Sequence, residues 1–344
     1  MPPNKYDFIE KEVNLRKVIA EKTKSQEPFC LARIPGEEIE LFTGVSYSHQ
    51  IGKRQVICKP WHSDTEPIYF FEGKGDTIKR NEVANSEEQT SYASYQRSFE
   101  ECMRHLKSQK LEKVVLSRIE FVEAQITPDL FTLFQKAVSH YPETFVYIIL
   151  HPSEGIWLGA SPEILLKKTG EVYESVSLAG TQPISSEPYI WEEKERVEQL
   201  LVSDQIRSVL THLNCNIVSE IGPETAEAGK VAHLKTRFLF SSEESLQSLL
   251  KNLHPTPAVA GLPKKDSIEL IDKTELHNRG LYTGYIGLYD SEKADIYVNL
   301  RCMRVVSNGY YLYLGGGLTE DSELMKEWKE TELKASTLLN LIDE

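Results

Sequence analysis

Hydrophobic and polar positions along this chain follow periods that change from helical to extended several times. Residues 1–25 are charged and have helical spacing, whereas residues 29–71 form short apolar runs interrupted by glycine and proline. The second pattern predicts strands joined by turns. Residues 72–91 are mostly polar and predict an exposed, disordered loop. Apolar residues in 92–110 recur at helical spacing, so an amphipathic helix is expected there.

Predicted helices and strands alternate along the rest of the chain. The loop at 254–263 contains three prolines, which predicts a stiff wall rather than a helix or strand. Further helices are predicted at 128–141, 189–213, 241–253 and 266–278. Further strands are predicted at 113–121, 144–150, 155–160, 164–166, 176–181, 231–236 and 294–306.

Residues 310–334 are organised as a strand, a turn at the glycines 315–317 and a helix. Glu327 and Glu330 are three positions apart and share a face of that helix, and Lys334 lies one turn further along. A glycine platform beside two carboxylates and an ammonium group suits a small anion held with a divalent metal. The alternative is a turn followed by a solvated, charged helix, since exposed glutamates are common.

Two glutamates on an earlier helix repeat this spacing. Glu195 and Glu198 form a second Glu-x-x-Glu pair within the helix predicted at 189–213. Two such pairs from distant parts of the chain can face one another and hold one Mg²⁺ through carboxylates and water. The sequence therefore indicates a magnesium site built from both pairs.

Several single residues are candidates for chemistry, each with an ordinary alternative. Lys113 begins a very apolar strand, where a lysine usually reaches the surface but becomes a possible base if it is desolvated. Glu163 precedes an apolar run, so it points into a cleft or is a simple turn carboxylate. Gly180 and Thr181 end a strand and offer a backbone N–H and a hydroxyl to a ligand carboxylate.

Two further polar residues lie in apolar surroundings. Arg301 is followed by Cys302 and Met303, and an arginine in such a context has a carboxylate partner from the protein or a ligand. His233 lies in a short predicted strand, where a histidine satisfied by the protein is the favoured interpretation. The chain has no internal repeat, P-loop, dinucleotide-binding glycine pattern or zinc-ligand spacing.

Composition narrows the class of protein. The chain has 344 residues, of which 40% are hydrophobic, so it can bury a large core. Its net charge of −13 argues against nucleic acid or an anionic membrane as the main partner, and an anionic substrate would need local positive charge. Five scattered cysteines without a CxxC motif, no apolar run of 18 residues and no signal peptide favour a cytoplasmic protein.

Taken together, ten segments in this order resemble the chorismate-utilising enzyme family. The resemblance covers residues 92–342, and the first ninety residues match only loosely. The segments are KVVLSR (113–118), GASPE (159–163), LAGT (178–181), EKERVE (193–198), HLKT (233–236), HPTPAVAGLP (254–263), RGLYTGYIG (279–287), NLRC (299–302), YLGGGL (313–318) and EWKETELK (327–334).

The resemblance implies an α+β fold of two packed antiparallel β-sheets flanked by helices. Residues 1–91 would form the strand-rich N-terminal part of that fold, with an exposed loop at 72–91. Residues 92–342 would form the catalytic region, and the whole chain would be one structural domain. The implied site is a cleft that binds chorismate, a dicarboxylate, together with Mg²⁺.

Site residues follow from the resemblance by motif position. Glu198 and Glu330 would bind the metal directly, whereas Glu195 and Glu327 would act through metal-bound water. His233 would lie near the substrate ring. The remaining positions implied to contact substrate are Gly180, Thr181, Ala258, Tyr282, Arg301, Gly315 and Lys334.

The reactions within the family differ at a few positions. Lys113 matches the lysine that activates water in isochorismate and salicylate synthases, and Ala179 replaces a nucleophilic lysine of aminodeoxychorismate synthases. Ala258 resembles isochorismate synthases, whereas salicylate and anthranilate enzymes tend to have threonine. The resemblance thus favours an isochorismate synthase, serving menaquinone or siderophore synthesis. A monomer is expected, since the sequence contains no obvious partner motif. Salicylate synthase is the next alternative, followed by anthranilate synthase component I and a non-catalytic chorismate-binding protein.

The implied mechanism uses two groups on opposite faces of the substrate. Lys113 would act as the general base for a water that attacks C2 of chorismate. Glu163 would act as the general acid that protonates the departing C4 hydroxyl. This assignment requires a neutral Lys113 and a protonated Glu163. The presence of both residues and of all four metal-site glutamates argues against a non-catalytic protein.

Overall fold

A computed structural model describes residues 5–62, 64–76, 78, 88–124, 129–184, 188–228 and 231–342. At 5–9, 181, 183, 194, 228 and 231 only the backbone is described. Residues 77 and 79–87, half of the loop predicted at 72–91, lie outside the described residues, and so does the side chain of Thr181.

Seventeen strands and seven helices are found in the described part of the chain. The helices are α1 (Lys5–Ser25), α2 (Tyr92–Lys107), α3 (Leu130–His140), α4 (Glu193–His212), α5 (Leu246–Leu253), α6 (Lys264–Thr274) and α7 (Leu324–Ile342). The strands are β1 (Phe29–Arg33), β2 (Glu40–Phe42), β3 (Gly44–Ser46), β4 (Gln55–Lys59), β5 (Ile68–Phe71), β6 (Lys113–Glu123), β7 (Phe145–His151), β8 (Gly155–Ser161), β9 (Ile164–Thr169), β10 (Val172–Pro183), β11 (Asn216–Ala228), β12 (Val231–Ser241), β13 (Gly261–Leu262), β14 (Tyr285–Tyr289), β15 (Lys293–Val298), β16 (Cys302–Val306) and β17 (Gly309–Leu318).

The strands form two antiparallel sheets. The first sheet has the order β13-β6-β17-β16-β8-β7-β1-β2, and the second has the order β11-β12-β10-β9-β15-β14-β4-β5-β3. Each sheet contains strands from residues 29–71 as well as strands from the later part of the chain. The predicted fold class, α+β with two packed antiparallel sheets, is confirmed.

Apolar side chains fill the space between the sheets and beneath the helices. One buried cluster joins β1 and β7 of the first sheet to β4 and β14 of the second, for example through Phe145, which stacks on Tyr297 at 5.2 Å. A second cluster lies between the first sheet and helices α1, α3 and α7. A third joins α2, α5 and α6 to the second sheet and to β6. This burial of apolar surface on both sides of each sheet is the main stabilising contribution.

Most predicted elements are found, with ends that differ by a few residues. Three differences change the picture. The first is β11, whose polar, proline-containing sequence at an exposed sheet edge gave no strand pattern. Its partner β12 is therefore longer than the short strand predicted at 231–236. The helix predicted at 241–253 begins only at Leu246, because Ser245 caps it and the strand continues to Ser241.

The second difference concerns the glycines at 315–317, for which the prediction of a turn is wrong. They continue β17, and they pair with Val115, Leu116 and Ser117 of β6. None of the three has a positive φ angle. Their lack of side chains therefore opens space above a strand and does not bend the chain.

The third difference is the strand predicted at 294–306, which is two strands. β15 belongs to the second sheet and β16 to the first, so the chain crosses between sheets at 299–301. Arg301 has a left-handed φ of 47°, which turns the chain at this crossing. The prediction that Arg301 lies within a strand is therefore wrong.

All five cysteines are free, and four of them are buried. Among the described residues, no helix is both long and apolar enough to cross a lipid bilayer.

Candidate active site

Two of the short segments that cross between the sheets lie side by side. Glu163 lies between β8 of the first sheet and β9 of the second, and Arg301 lies between β15 and β16. The backbone N–H of Val298 donates to the Glu163 carbonyl at 2.9 Å, and that of Ala160 donates to the Arg301 carbonyl at 3.1 Å. These two hydrogen bonds hold the backbone of Glu163 and that of Arg301 on adjacent segments, where the chain passes from one sheet to the other.

The glycines at 315–317 form a floor between functional side chains of three other elements. A Cβ on the first glycine would lie 2.6 Å from the Tyr282 hydroxyl. On the second it would lie 3.3 Å from Glu327 Oε2, and on the third 2.9 Å from Lys113 Cε. Side chains at these positions would fill the space that the surrounding polar groups enclose, so glycine keeps the cleft open.

Two lysines are paired with the two glutamates that the resemblance assigns to the metal. Lys113 Nζ lies 2.6 Å from Glu198 Oε1, and only 5% of the Lys113 side chain is exposed. Lys334 Nζ lies 2.7 Å from Glu330 Oε1 and donates to the Gly315 carbonyl at 2.8 Å. The cleft thus contains closely spaced opposite charges.

Gly180, His233 and Glu195 form the opposite wall. Gly180 has a φ of 69°, and its carbonyl lies 2.8 Å from His233 Nδ1. A carbonyl oxygen only accepts, so Nδ1 carries a proton. Burial lowers the pKa of His233, against the raising effect of the Gly180 hydrogen bond. A Cβ on Gly180 would lie 3.0 Å from Glu195 Cβ, so glycine allows α4 to approach this strand.

The surroundings of Glu163 raise its pKa, so that a large fraction of the carboxyl is protonated near neutral pH. Its side chain retains some exposure toward the cleft. Even so, burial raises its pKa to about 7, although the charges of Lys113 and Lys334 act to lower it. Removal of water disfavours the carboxylate more than these two cations favour it. Glu163 is therefore equipped to donate a proton, which a simple turn carboxylate is not.

We expect this burial to make Glu163 destabilising at alkaline pH. The pKa of Glu163 in the folded protein lies above the usual value of 4.5. Its contribution to the free energy of unfolding is therefore fully present below pH 4.5 and is lost as pH rises through 7. Glu163→Gln cannot ionise. It should be more stable than the parent protein at pH 8, by up to about 3 kcal/mol, with little difference near pH 4.5.

Urea unfolding of both proteins across this pH range measures the difference directly. Glu171→Gln, which changes an exposed glutamate in the turn after β9, is the matched control and should be neutral at both pH values. A Glu163→Gln effect that is the same at pH 4.5 and pH 8 would contradict the raised pKa.

Arg301 presents a half-buried positive charge to the cleft. Within the described part of the chain, its guanidinium has no hydrogen bond or ion pair with a carboxylate. Burial lowers its pKa, and the nearby Tyr141 acts in the opposite direction. A desolvated guanidinium without a partner is suited to an anionic ligand.

Ala258 is half-buried in the loop between α5 and β13. β13 pairs with β6 through Leu262 and Lys113, so the loop ends beside the candidate base. The predicted stiff loop is therefore adjacent to the cleft.

The donor types around the glycine floor fit a divalent cation such as Mg²⁺, which prefers carboxylate oxygens and retains water ligands. Glu195 Oε2 is buried and has no hydrogen-bond partner among the described residues, so one carboxylate oxygen is available. No three acidic, histidine or cysteine side chains in the described ranges are close enough together to enclose an ion. Two of the carboxylates are instead occupied by lysines, so metal binding would require those pairs to open.

Sequence analysis assigned no role to Ser117, Glu275 or Arg279, although Ser117 and Arg279 lie within two of the ten motifs. Glu275 and Arg279 form an ion pair whose side chains are only 3% and 1% exposed. Their spacing of four residues was a possible signal, but a pair at that spacing is usually a solvated helical contact.

Known proteins match this chain in both sequence and structure. The sequence pattern of the family described as chorismate binding enzyme matches residues 31–343, so the match begins earlier than the motif resemblance at 92–342. The isochorismate synthase EntC of Escherichia coli K12 is 32% identical over 244 residues, which are 67% of this chain and 62% of EntC. The isochorismate synthase MenF of Bacillus subtilis is 28% identical over 262 residues, covering 72% of this chain and 55% of that protein.

These sequence matches cover less than two thirds of either relative's own length. The solved structure of MenF, the menaquinone-specific isochorismate synthase of Escherichia coli, has a TM-score of 0.78 to this chain at 18% identity. The superposition covers 92% of this chain and 89% of that chain, and it shows a shared fold.

Proposed function

Because the chain belongs to the family of chorismate binding enzymes, we propose that it is an isochorismate synthase. The substrate would be chorismate, and the reaction would add water at C2 and release the C4 hydroxyl. The two curated relatives described above are named isochorismate synthases, which supports this choice within the family.

The observation that carries the proposal is the placement of Lys113 and Glu163 in one cleft. Lys113 comes from the start of β6 and Glu163 from the crossing between the sheets. They are close enough for the lysine charge to act on the pKa of Glu163, which nevertheless stays near 7. A buried amine and a carboxyl with a pKa near 7 at one site are suited to act as the base and the acid of a displacement with proton transfer.

In the proposed reaction, Lys113 takes a proton from water as the water oxygen bonds to C2. The ring double bonds shift, the bond from C4 to its hydroxyl oxygen breaks, and Glu163 supplies the proton that releases this hydroxyl as water. An ammonium group cannot accept a proton, and pairing with a carboxylate favours that charged form. The pair between Lys113 and Glu198 must therefore open, and Lys113 must release its proton to solvent, before the lysine can act as the base.

We propose Glu198 and Glu330 as direct ligands of Mg²⁺, with Glu195 and Glu327 acting through its water ligands. When bound, the metal would offset the negative charges of the glutamates and the substrate. Arg301 and Tyr282 would orient the enolpyruvyl carboxylate, because both reach the cleft and Arg301 has no carboxylate partner among the described residues. The proposed groups for the other contacts are Lys334, Gly315, Gly180, Thr181 and Ala258, with His233 beside the ring.

Product analysis tests the proposal. The purified chain is incubated with chorismate and Mg²⁺ without ammonia, and the products are resolved by HPLC. A mixture of chorismate and isochorismate without pyruvate is expected. Salicylate with pyruvate would assign the chain to salicylate synthases. Anthranilate formed only after ammonia is added would contradict the assignment of Lys113 as the base for water.

The rate should depend on Glu163 in its protonated form. We expect kcat to fall about tenfold for each pH unit well above the Glu163 pKa of about 7. A pH–rate profile under saturating chorismate measures this decrease at alkaline pH. Glu163→Gln should lose most of the activity, and its remaining kcat should no longer decrease in this pH range. A decrease that persists in the variant would assign the titration to another group.

We further propose that the enzyme acts as a monomer in the cytoplasm, since its five free cysteines fit a reducing compartment. Size-exclusion chromatography with light scattering measures the oligomeric state.

A further inference from the structure

Beneath the glycine floor lies a buried ion pair that the proposed reaction does not use. Arg279 Nε donates to Glu275 Oε2 at 2.8 Å, and Arg279 Nη2 donates to Glu275 Oε1 at 2.7 Å. The guanidinium also lies over the ring of Trp61, 4.4 Å from its centre. Replacing such a pair by apolar side chains is often neutral or stabilising, so stability alone gives little reason for it.

All five N–H donors of Arg279 have acceptors. Two bind Glu275, as described. Nη1 donates to the Val259 carbonyl at 2.9 Å and to the Thr283 hydroxyl at 3.2 Å. The second N–H of Nη2 donates to the Val115 carbonyl at 2.8 Å. A guanidinium holds its donors in one rigid plane, so it fixes the relative positions of all the groups that it binds.

The three acceptors outside the ion pair belong to three different segments of the cleft. Each acceptor lies within two residues of a proposed site residue, and these residues are Lys113, Ala258 and Tyr282. One side chain therefore joins the strand of the base, the loop at its edge and the segment of the tyrosine.

Glu275 adds a fourth connection. Its Oε1 accepts from the Ser117 backbone N–H at 2.7 Å and from the Ser117 hydroxyl at 2.8 Å. Ser117 is paired with Gly315 across β6 and β17, and its hydroxyl lies 2.9 Å from His277 Nε2. The ion pair therefore also holds the strand at the first glycine of the floor.

We propose that Arg279, oriented by Glu275, is a positioning residue that sets the location of Lys113 relative to Glu163. This inference rests on the proposed function for its kinetic readout. Lysine at position 279 would keep the charge but has three donors on one atom, which cannot reach the acceptors of a planar fork. A shift of about 1 Å in a reacting group is enough to lower a rate about 100-fold.

The test compares Arg279→Lys with the unchanged protein. We expect kcat about 100-fold lower, while the Kd for chorismate and the circular dichroism spectrum change little. Hydrogen–deuterium exchange should become faster in peptides covering 113–118 and 254–263. The matched control is Arg237→Lys, because Arg237 makes a two-bond fork with Glu174 on the surface of the second sheet and should change neither readout.

A kcat near that of the unchanged protein, with unchanged exchange, would overturn the proposal. A loss of kcat that equals the unfolded fraction would also overturn it, because Arg279 would then have only a structural role. If Arg279→Lys does not fold, Thr283→Val takes its place, since it removes the hydroxyl that accepts from Arg279 Nη1 and leaves the ion pair. We then expect a roughly tenfold lower kcat with unchanged Kd, and a normal kcat would refute positioning.

These outcomes are separable from a failure of the proposed function. An unchanged protein that forms no isochorismate would refute the assigned reaction. Hydrogen–deuterium exchange would still decide whether Arg279 fixes the two segments.

Discussion

Replacing Lys113 with alanine is expected to lower kcat for isochorismate formation by about 10³-fold or more, with the fold retained. General base catalysis contributes about 10²- to 10⁴-fold, and no water-activating group remains at the start of β6 when the amine is removed. Steady-state kinetics measured by product formation gives the change. The chorismate Kd should change far less than kcat, because the proposed carboxylate contacts come from other residues.

Three companion variants define the cause of that loss. Lys113→Met retains the stem that packs over Gly317 and should be as inactive as Lys113→Ala. Lys113→Arg retains a charge near Glu198 but has no proton-accepting form near neutral pH, and should also be inactive. Lys110→Ala changes an exposed lysine just before β6 and should be fully active. A near-normal rate in Lys113→Met would refute the assignment of the base.

Changing Glu198 or Glu330 to glutamine is expected to weaken divalent metal binding by about 100-fold or more. Loss of an outer-shell partner costs about 10- to 100-fold in affinity, and a direct ligand should cost at least as much. Titration with Mn²⁺, followed by electron paramagnetic resonance in the presence of chorismate, measures binding without relying on turnover. Glu195→Gln and Glu327→Gln should each weaken binding by about tenfold, because they would act through water.

Glu193→Gln is the matched control for the metal variants. It changes an exposed glutamate in the first turn of α4, the helix that carries Glu195 and Glu198. Its Mn²⁺ affinity should equal that of the unchanged protein. Equal affinities for Glu198→Gln, Glu330→Gln and this control would place the metal elsewhere or exclude it from the cleft.

The lysine–glutamate pairs give these predictions a common physical basis. Glu198 is 26% exposed and Glu330 is 49% exposed, so each can exchange its lysine partner for another cation from the cleft. Opening the first pair would release the proposed base, and opening the second would release Lys334 for a substrate carboxylate. Ligand and metal binding are therefore expected to favour one another, which paired titrations of Mn²⁺ with and without chorismate can measure.

Sequence alone determined the family and most of the secondary structure. Local composition and period identify strands such as β7 and β8, because side-chain alternation and turn residues are properties of neighbouring positions. The ten ordered motifs identified the chorismate-binding family, which the match over residues 31–343 confirms. The spacing of the two Glu-x-x-Glu pairs placed each pair on one helix face, which α4 and α7 bear out.

Tertiary structure decided how those elements are joined. The glycines at 315–317 were expected in a turn. Whether such a run forms a turn or a strand depends on whether a neighbouring strand pairs with it, and here β6 does. Arg301 was expected within one strand, yet the chain crosses there to the other sheet. β11 was not predicted, because an exposed edge strand does not require an apolar pattern in its sequence.

The chemistry of the site also depended on contacts between distant residues. Nothing in the residues around Glu163 shows that its pKa rises to about 7, since that shift comes from burial where two sheets meet. Likewise, the pairing of Lys113 with Glu198 joins positions 85 residues apart. The sequence by itself determined which chemical groups are present and which local elements carry them, because residue type and local periodicity are properties of neighbouring positions. Only the tertiary structure decided which of those groups are desolvated and which charges they meet, because both depend on packing between elements far apart in the sequence.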